Sequence, residues 1–121
     1  MRDHTKLRAF ELADEVALTI YKVTKDFPKE EVFGLVSQMR RASVSVPSNI
    51  VEGCARLTLA DYRRFIEIAY GSLKELHYQY SLAGRLGYLR DPLASEGNIK
   101  ITETEKVLGT LLHTLWKKSL L

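Results

Sequence analysis

Five arginines carry the strongest chemical signal in this sequence: Arg40 and Arg41, then Arg56, Arg63 and Arg64. A guanidinium stays charged at any working pH and offers phosphate a planar fork of donors. Several of them near one end of a helical protein would grip a polyanion and release its counterions. On that reading Arg40, Arg56, Arg63 and Arg64 contact RNA or DNA. The competing reading is a solvated face neutralised by Glu52, Asp61 and Glu67, and it fits the sequence better. The net charge is only +3, and no aromatic-and-basic motif of an RNA-recognition fold is present.

The other reactive side chains form no chemical constellation. His4, His77 and His113 lack metal-ligand spacing. Cys54 has no histidine near it in sequence and sits by an apolar helix face, as a packed thiol does. Ser43, Ser45 and Ser48 around Pro47 lack a nucleophile elbow. Gly34, Gly53 and Gly71 form no phosphate-cradling loop. The expectation is a protein that is not an enzyme, with no catalytic residue, metal, cofactor or small-molecule substrate.

These residues need elements to hold them. The 121-residue chain is 45% hydrophobic and 27% charged, which excludes a disordered chain. No apolar run reaches the roughly 18 residues that span a bilayer. The N-terminus carries acids and no apolar signal core, and a single cysteine excludes an internal disulfide framework. One cytoplasmic domain over 1–121, with no membrane partner, is expected.

Helical periodicity runs through the chain. Leu7, Phe10, Ala13, Val16, Ala17, Ile20, Val23 and Phe27 make one apolar face, and Pro28 ends it. The spacing predicts a first helix over about 5–26. A second, about 29–55, should start with Glu30 and Glu31 at the positive end of its dipole. It should run through Pro47 as a kink, because the apolar phase continues to Ile50 and Cys54. Thr58 with Asp61 reads as a cap opening a third helix over about 59–87. Gly71 inside that helix suggests a close helix approach. Gly87 to Asn98 reads as a loop. Thr102 with Glu105 reads as a second capping box opening a fourth helix, about 102–119.

Four amphipathic helices on short connections predict an all-α, antiparallel up-down-up-down four-helix bundle. Leu12, Leu18, Tyr21, Tyr70, Tyr78 and Trp116 fall off the main apolar seams. Together with the limited surface a small bundle buries, they suggest self-association.

Two blocks carry a family signature. The first runs Phe27-Pro28-Lys29-Glu30-Glu31-Val32-Phe33-Gly34-Leu35, then Gln38-Met39-Arg40-Arg41-Ala42, then Val44 through Gly53. The second is Phe65-Ile66-Glu67-Ile68-Ala69-Tyr70-Gly71-Ser72-Leu73-Lys74-Glu75-Leu76, followed by Leu82 through Leu89. The chain resembles the bacterial four-helix-bundle proteins encoded in intervening sequences of 23S ribosomal RNA genes. The resemblance implies a left-handed bundle assembling into a ring-like homo-oligomer, a pentamer. It also implies kinship with the accessory protein of diversity-generating retroelements, whose similar ring has a basic surface and works with a reverse transcriptase and nucleic acid. It implies no biochemical activity.

Asn49, Glu52, Ser72 and Glu75 lie in those two blocks. Asn49 and Glu52 are three apart, as are Ser72 and Glu75, so each pair can share a helix face. Two carboxylates could do acid–base work. A bundle metal site would want a Glu-x-x-His repeat, which is missing. The better reading is a buried polar network in which Arg41 satisfies Glu52 or Glu75 and sets helix register. The expected function is therefore a non-enzymatic, homo-oligomeric scaffold or adaptor, with a nucleic-acid-binding accessory as the alternative.

Overall fold

The structure is a computed structural model that describes residues 2–120. Four α-helices make up most of it: α1 (Arg8–Thr24), α2 (Leu35–Cys54), α3 (Leu59–Arg85) and α4 (Leu93–Ser119). The described residues contain no strand. Ile20 from α1, Met39 and Ile50 from α2, Ile66, Leu73 and Leu76 from α3, and Ile101 and Leu108 from α4 are fully buried together. Each such side chain contributes about 1.5–3 kcal/mol by leaving water, so one shared apolar interior holds all four helices.

Side-chain contacts tie neighbouring helices together. Arg40 on α2 reaches Tyr21 and Thr24 at the end of α1. The start of the chain meets the end of α2, where the Arg2 amide donates to the Cys54 carbonyl at 2.8 Å. Between α2 and α3, Arg41 meets Glu75 and Ser45 meets Ser72. Between α3 and α4, Arg63 stacks on Trp116 and Tyr80 reaches Ala94. Arg8 on α1 pairs with Glu103 on α4 at 2.7 Å.

Three boundaries differ from the expected ones, each for a local reason. Asp3 accepts from the Thr5 amide and winds His4–Lys6 into a 3-10 turn, so α1 starts only at Arg8. Pro28, with ψ 144°, resets the chain, and Lys29–Glu31 form a separate 3-10 turn before Gly34 and α2. Glu31 therefore works from outside the helix. One of its carboxylate oxygens caps the Leu35 amide at 3.2 Å, and the other accepts from the Tyr88 hydroxyl at 3.0 Å.

The largest difference is α4, which starts at Leu93 rather than 102. Asp91 accepts from both the amide and the hydroxyl of Ser95 and serves its first turn. Thr102 lies inside the helix, where its hydroxyl donates back to the Asn98 carbonyl at 2.9 Å, a bond that competes with capping. Thr58, by contrast, does cap α3, accepting from the Asp61 amide at 3.1 Å. Pro47 sits buried inside α2, which runs on through it to Cys54.

Two packing expectations also change. Leu12 belongs to the core, at 3% exposure. Gly71 faces open space, with nothing within 4 Å of where a Cβ would lie. The close approaches occur at Gly53, against Phe65 and Tyr62, and at Gly97, against Tyr80. Leu18, Tyr21, Tyr78 and Trp116 are exposed.

Candidate functional site

The arginines do not share one end of the molecule. Arg40 belongs to the end where α1 finishes and α2 begins. Its Nε donates to Thr24 Oγ1 at 3.0 Å, its Nη2 reaches the Tyr21 carbonyl, and its guanidinium lies over the Tyr21 ring. It thus joins the Thr24 hydroxyl in satisfying a carbonyl in the last turn of α1. Arg56 is sixteen positions along, roughly 24 Å of helix rise away. The expected cluster therefore loses Arg40.

Arg56, Arg63 and Arg64 gather where α2 turns into α3. Arg56 pairs with Glu52 one turn earlier at 3.0 Å and stacks on Phe65. Arg63 lies 3.3 Å from Glu67 and 4.7 Å above the Trp116 ring. Arg64 is exposed. Lys117 and Lys118 in the last turn of α4 are exposed beside Trp116. This end thus holds Arg56 and Arg63, each balanced by a carboxylate, together with Arg2, Arg64, Lys117 and Lys118 next to a half-exposed indole.

The structure divides Arg41, Asn49, Glu52, Ser72 and Glu75 into three groups. Arg41 donates to Glu75, and Gln38 and Gln79 attach to the same pair. Their side chains stay 54% and 41% exposed, so this is a surface pair across the α2–α3 seam rather than a buried network. Such exposed pairs contribute little stability. Asn49 donates to the carbonyl and hydroxyl of Ser45, whose hydroxyl meets that of Ser72 at 2.8 Å. That group is half-buried and ties α2 to α3. Glu52 goes to Arg56. The two carboxylates therefore face different partners and do not work on a common atom.

One cluster was missed in the sequence. Glu105 on α4 holds His77 at 2.9 Å and Lys74 at 3.2 Å, and its side chain is only 11% exposed. Lys74 and His77 are three apart on α3, a spacing that puts both on one face. That spacing was the available signal. It was hidden because Glu105 was assigned to a cap that does not form.

Cys54 is packed, as its apolar surroundings suggested. Burial raises its thiol, against a smaller lowering by the Tyr62 hydroxyl. Burial also pushes Tyr62 and Tyr80 from 10.0 up to about 12. The folded state therefore holds these protons more tightly than the unfolded chain, and the resulting stability is full below pH 10 and lost between 10 and about 12. Urea unfolding midpoints should hold steady until the pH nears 9.0, where the unfolded Cys54 thiol begins to ionise, and fall more steeply above pH 10.0 as the tyrosines join it. Tyr80→Phe should flatten that fall; an unchanged slope would contradict the assignment.

No curated protein matches the chain significantly. A crystal structure of a protein with unknown function from the S23 ribosomal protein family of Bacteroides thetaiotaomicron has the same fold. It aligns with a TM-score of 0.77 over 87% of this chain and 95% of that one, at 23% identity. The family model described as 23S rRNA-intervening sequence protein matches residues 5–110. That stretch takes in the Glu31 cap, the Arg41–Glu75 pair, the Ser45–Ser72 contact and the Glu105 cluster, and on it the chain belongs to the 23S rRNA-intervening sequence protein family.

Proposed function

We propose that this protein is a non-enzymatic helical scaffold or adaptor that works as a homo-oligomer in the cytoplasm. It is one domain, a left-handed, antiparallel up-down-up-down bundle, and its copies assemble into a ring, a pentamer. The observation that carries this reading is the apolar surface left over after folding. Phe33 is 96% exposed and Leu57 86% exposed. Phe33, Val32, Val36 and Tyr21 line a groove of about 630 Å³ between the end of α1 and the start of α2. Apolar surface of this kind marks an interface. The carboxylates considered for acid–base chemistry, Glu52 and Glu75, are engaged by arginines, which favours a structural role.

Light scattering over a dilution series tests the assembly. The expected mass is a multiple of the 13.8 kDa protomer, five for the simple ring. A mass of 13.8 kDa at every dilution would sink the reading.

One observation favours a second reading, an accessory that binds RNA or DNA. Arg63 lies over the exposed Trp116, with Arg56 and Arg64 at the same turn between α2 and α3, and single-stranded nucleic acid is held by such a union of stacking surface and cations. Binding to generic RNA should then fall steeply with salt, and Arg63→Ala with Arg64→Ala should reduce the salt slope by about 1 per lost phosphate contact. Absence of binding by micromolar protein at low salt would remove it.

A further inference from the structure

We propose that the outer face of α1 is a self-complementary contact for a second copy of this chain, with the two α1 helices crossing antiparallel about Leu18. The inference rests on the homo-oligomer reading and adds a specific two-fold interface to it.

The argument begins with one stripe. Glu11, Asp14, Leu18, Tyr21 and Lys25 are all exposed and recur at spacings of three and four, the repeat by which one helix faces another. Leu18 is 59% exposed and Tyr21 43% exposed, yet both sit at the centre of this stripe rather than at a frayed end. Charge is segregated around them. Glu11, Asp14 and Glu15 precede Leu18, and Lys22 and Lys25 follow it.

The helix dipole favours acids at the start and bases at the end, but that effect fades within the first and last turns. It accounts for Glu11 and Lys22. It does not account for Asp14 and Glu15 in the middle of α1, nor for the exposed Leu18 and the part of the Tyr21 ring that Arg40 leaves open between the two signs.

A second α1 laid antiparallel accounts for Glu15, Leu18 and Tyr21, and sets Asp14 beside the facing Tyr21. Glu11 and Lys25 each lie one heptad from Leu18, so each faces the other's counterpart. Glu15 and Lys22, about one turn either side, face each other in the same way. Leu18 meets its own copy at the two-fold axis, with Tyr21 beside it. On the flank lie Arg8, which stands 2.7 Å from Glu103 and only 3.7 Å from Glu11, and Asp26, again of opposite sign in the two halves. Laid parallel, the same helices would set acid against acid and base against base. The charges thus select one occupant, another α1, and one orientation. A face that is its own complement closes after two copies. In a ring-forming protein it joins rings in pairs, and otherwise it makes a dimer.

Charge reversal tests this with two full-length variants. One carries Glu11→Lys and Glu15→Lys, and the other Lys22→Glu and Lys25→Glu. All four positions lie on the solvent side of α1, so both variants should keep the parent's circular dichroism, and that is checked first. The parent should have an even number of protomers by light scattering, ten where two five-membered rings pair, and a parent of five would overturn this contact while leaving the ring. Each variant alone should show half the parent's mass, because like charges now face each other. An equimolar mixture should regain the parent's mass, since an all-basic face meets an all-acidic one. Variants that keep the parent's mass, or a mixture that stays at half, would overturn the proposal. The first outcome leaves the homo-oligomer reading standing. A parent at the mass of a single protomer would overturn both.

Discussion

Replacing Gly53 by alanine is expected to destabilise the protein, although the same change at Gly71, in the next helix, should stabilise it. A helical Gly→Ala exchange ordinarily gains up to about 1 kcal/mol. At Gly53 the new Cβ would lie 2.8 Å from Phe65 Cβ and 3.4 Å from both Tyr62 Cδ1 and the Tyr62 carbonyl. None of these atoms is the loose end of a side chain. Phe65 Cβ and the Tyr62 carbonyl are fixed to the backbone of α3, so relief requires α3 to retreat from α2. That retreat would loosen Cys54, Tyr62 and Ile66, all buried beneath the contact. Overpacking of this kind costs about 1–3 kcal/mol, enough to reverse the propensity gain. Gly71→Ala is the control, since nothing stands within 4 Å of its Cβ position and α3 gains the propensity freely. Thermal midpoints should therefore move in opposite directions, at roughly 3–6 °C per kcal/mol for a chain of this length. Equal shifts in the two variants would refute the close approach at Gly53.

Those two glycines also show what a sequence conceals. Both sit within helical patterns, and the reading of Gly71 as the close approach chose the wrong one. Which glycine faces a neighbour depends on helix rotation and distance, and neither is local. Where the determinants are local, the reading succeeds. Thr58 caps α3 because its hydroxyl needs only the Asp61 amide three residues on. The apolar face of α2 runs through Pro47 because the phase of Ile50 and Cys54 outweighs one lost hydrogen bond.

The start of α4 failed for the opposite reason. Gly87, Pro92 and Gly97 look like punctuation, but a proline is tolerated where a helix begins. Gly97 answers to Tyr80, seventeen residues away. The candidate site divides along the same line. The sequence left Glu52 and Glu75 open as partners of Arg41, and the structure takes Glu75 across the α2–α3 seam. The grouping of Arg40 with Arg56 was not a local matter, and a helix-length calculation separates them.

Gly97→Ala should be among the most damaging single methyl additions to this chain. Its Cβ would fall 2.2 Å from Tyr80 Oη and 2.9 Å from Cζ. Tyr80 is 4% exposed and its hydroxyl donates to the Ala94 carbonyl at 2.6 Å. Spinning the ring does not help, because the hydroxyl lies on the ring's own rotation axis. Only a change of χ1 or a shift of α4 removes the clash, and either breaks the bond to Ala94. The expected loss is about 3 kcal/mol, combining overpacking with a lost hydrogen bond. Tyr80→Phe alone should cost about 0.5–1.5 kcal/mol. Combined with Gly97→Ala it deletes the atom nearest the new methyl, leaving Cζ at 2.9 Å as the closest. The double variant should therefore lose less than the sum of the singles, by about 1 kcal/mol or more, as contacting residues do. Urea unfolding of the four proteins measures this coupling. Strict additivity would mean that the hydroxyl does not occupy the space beside Gly97, and that another constraint sets the helical start of α4.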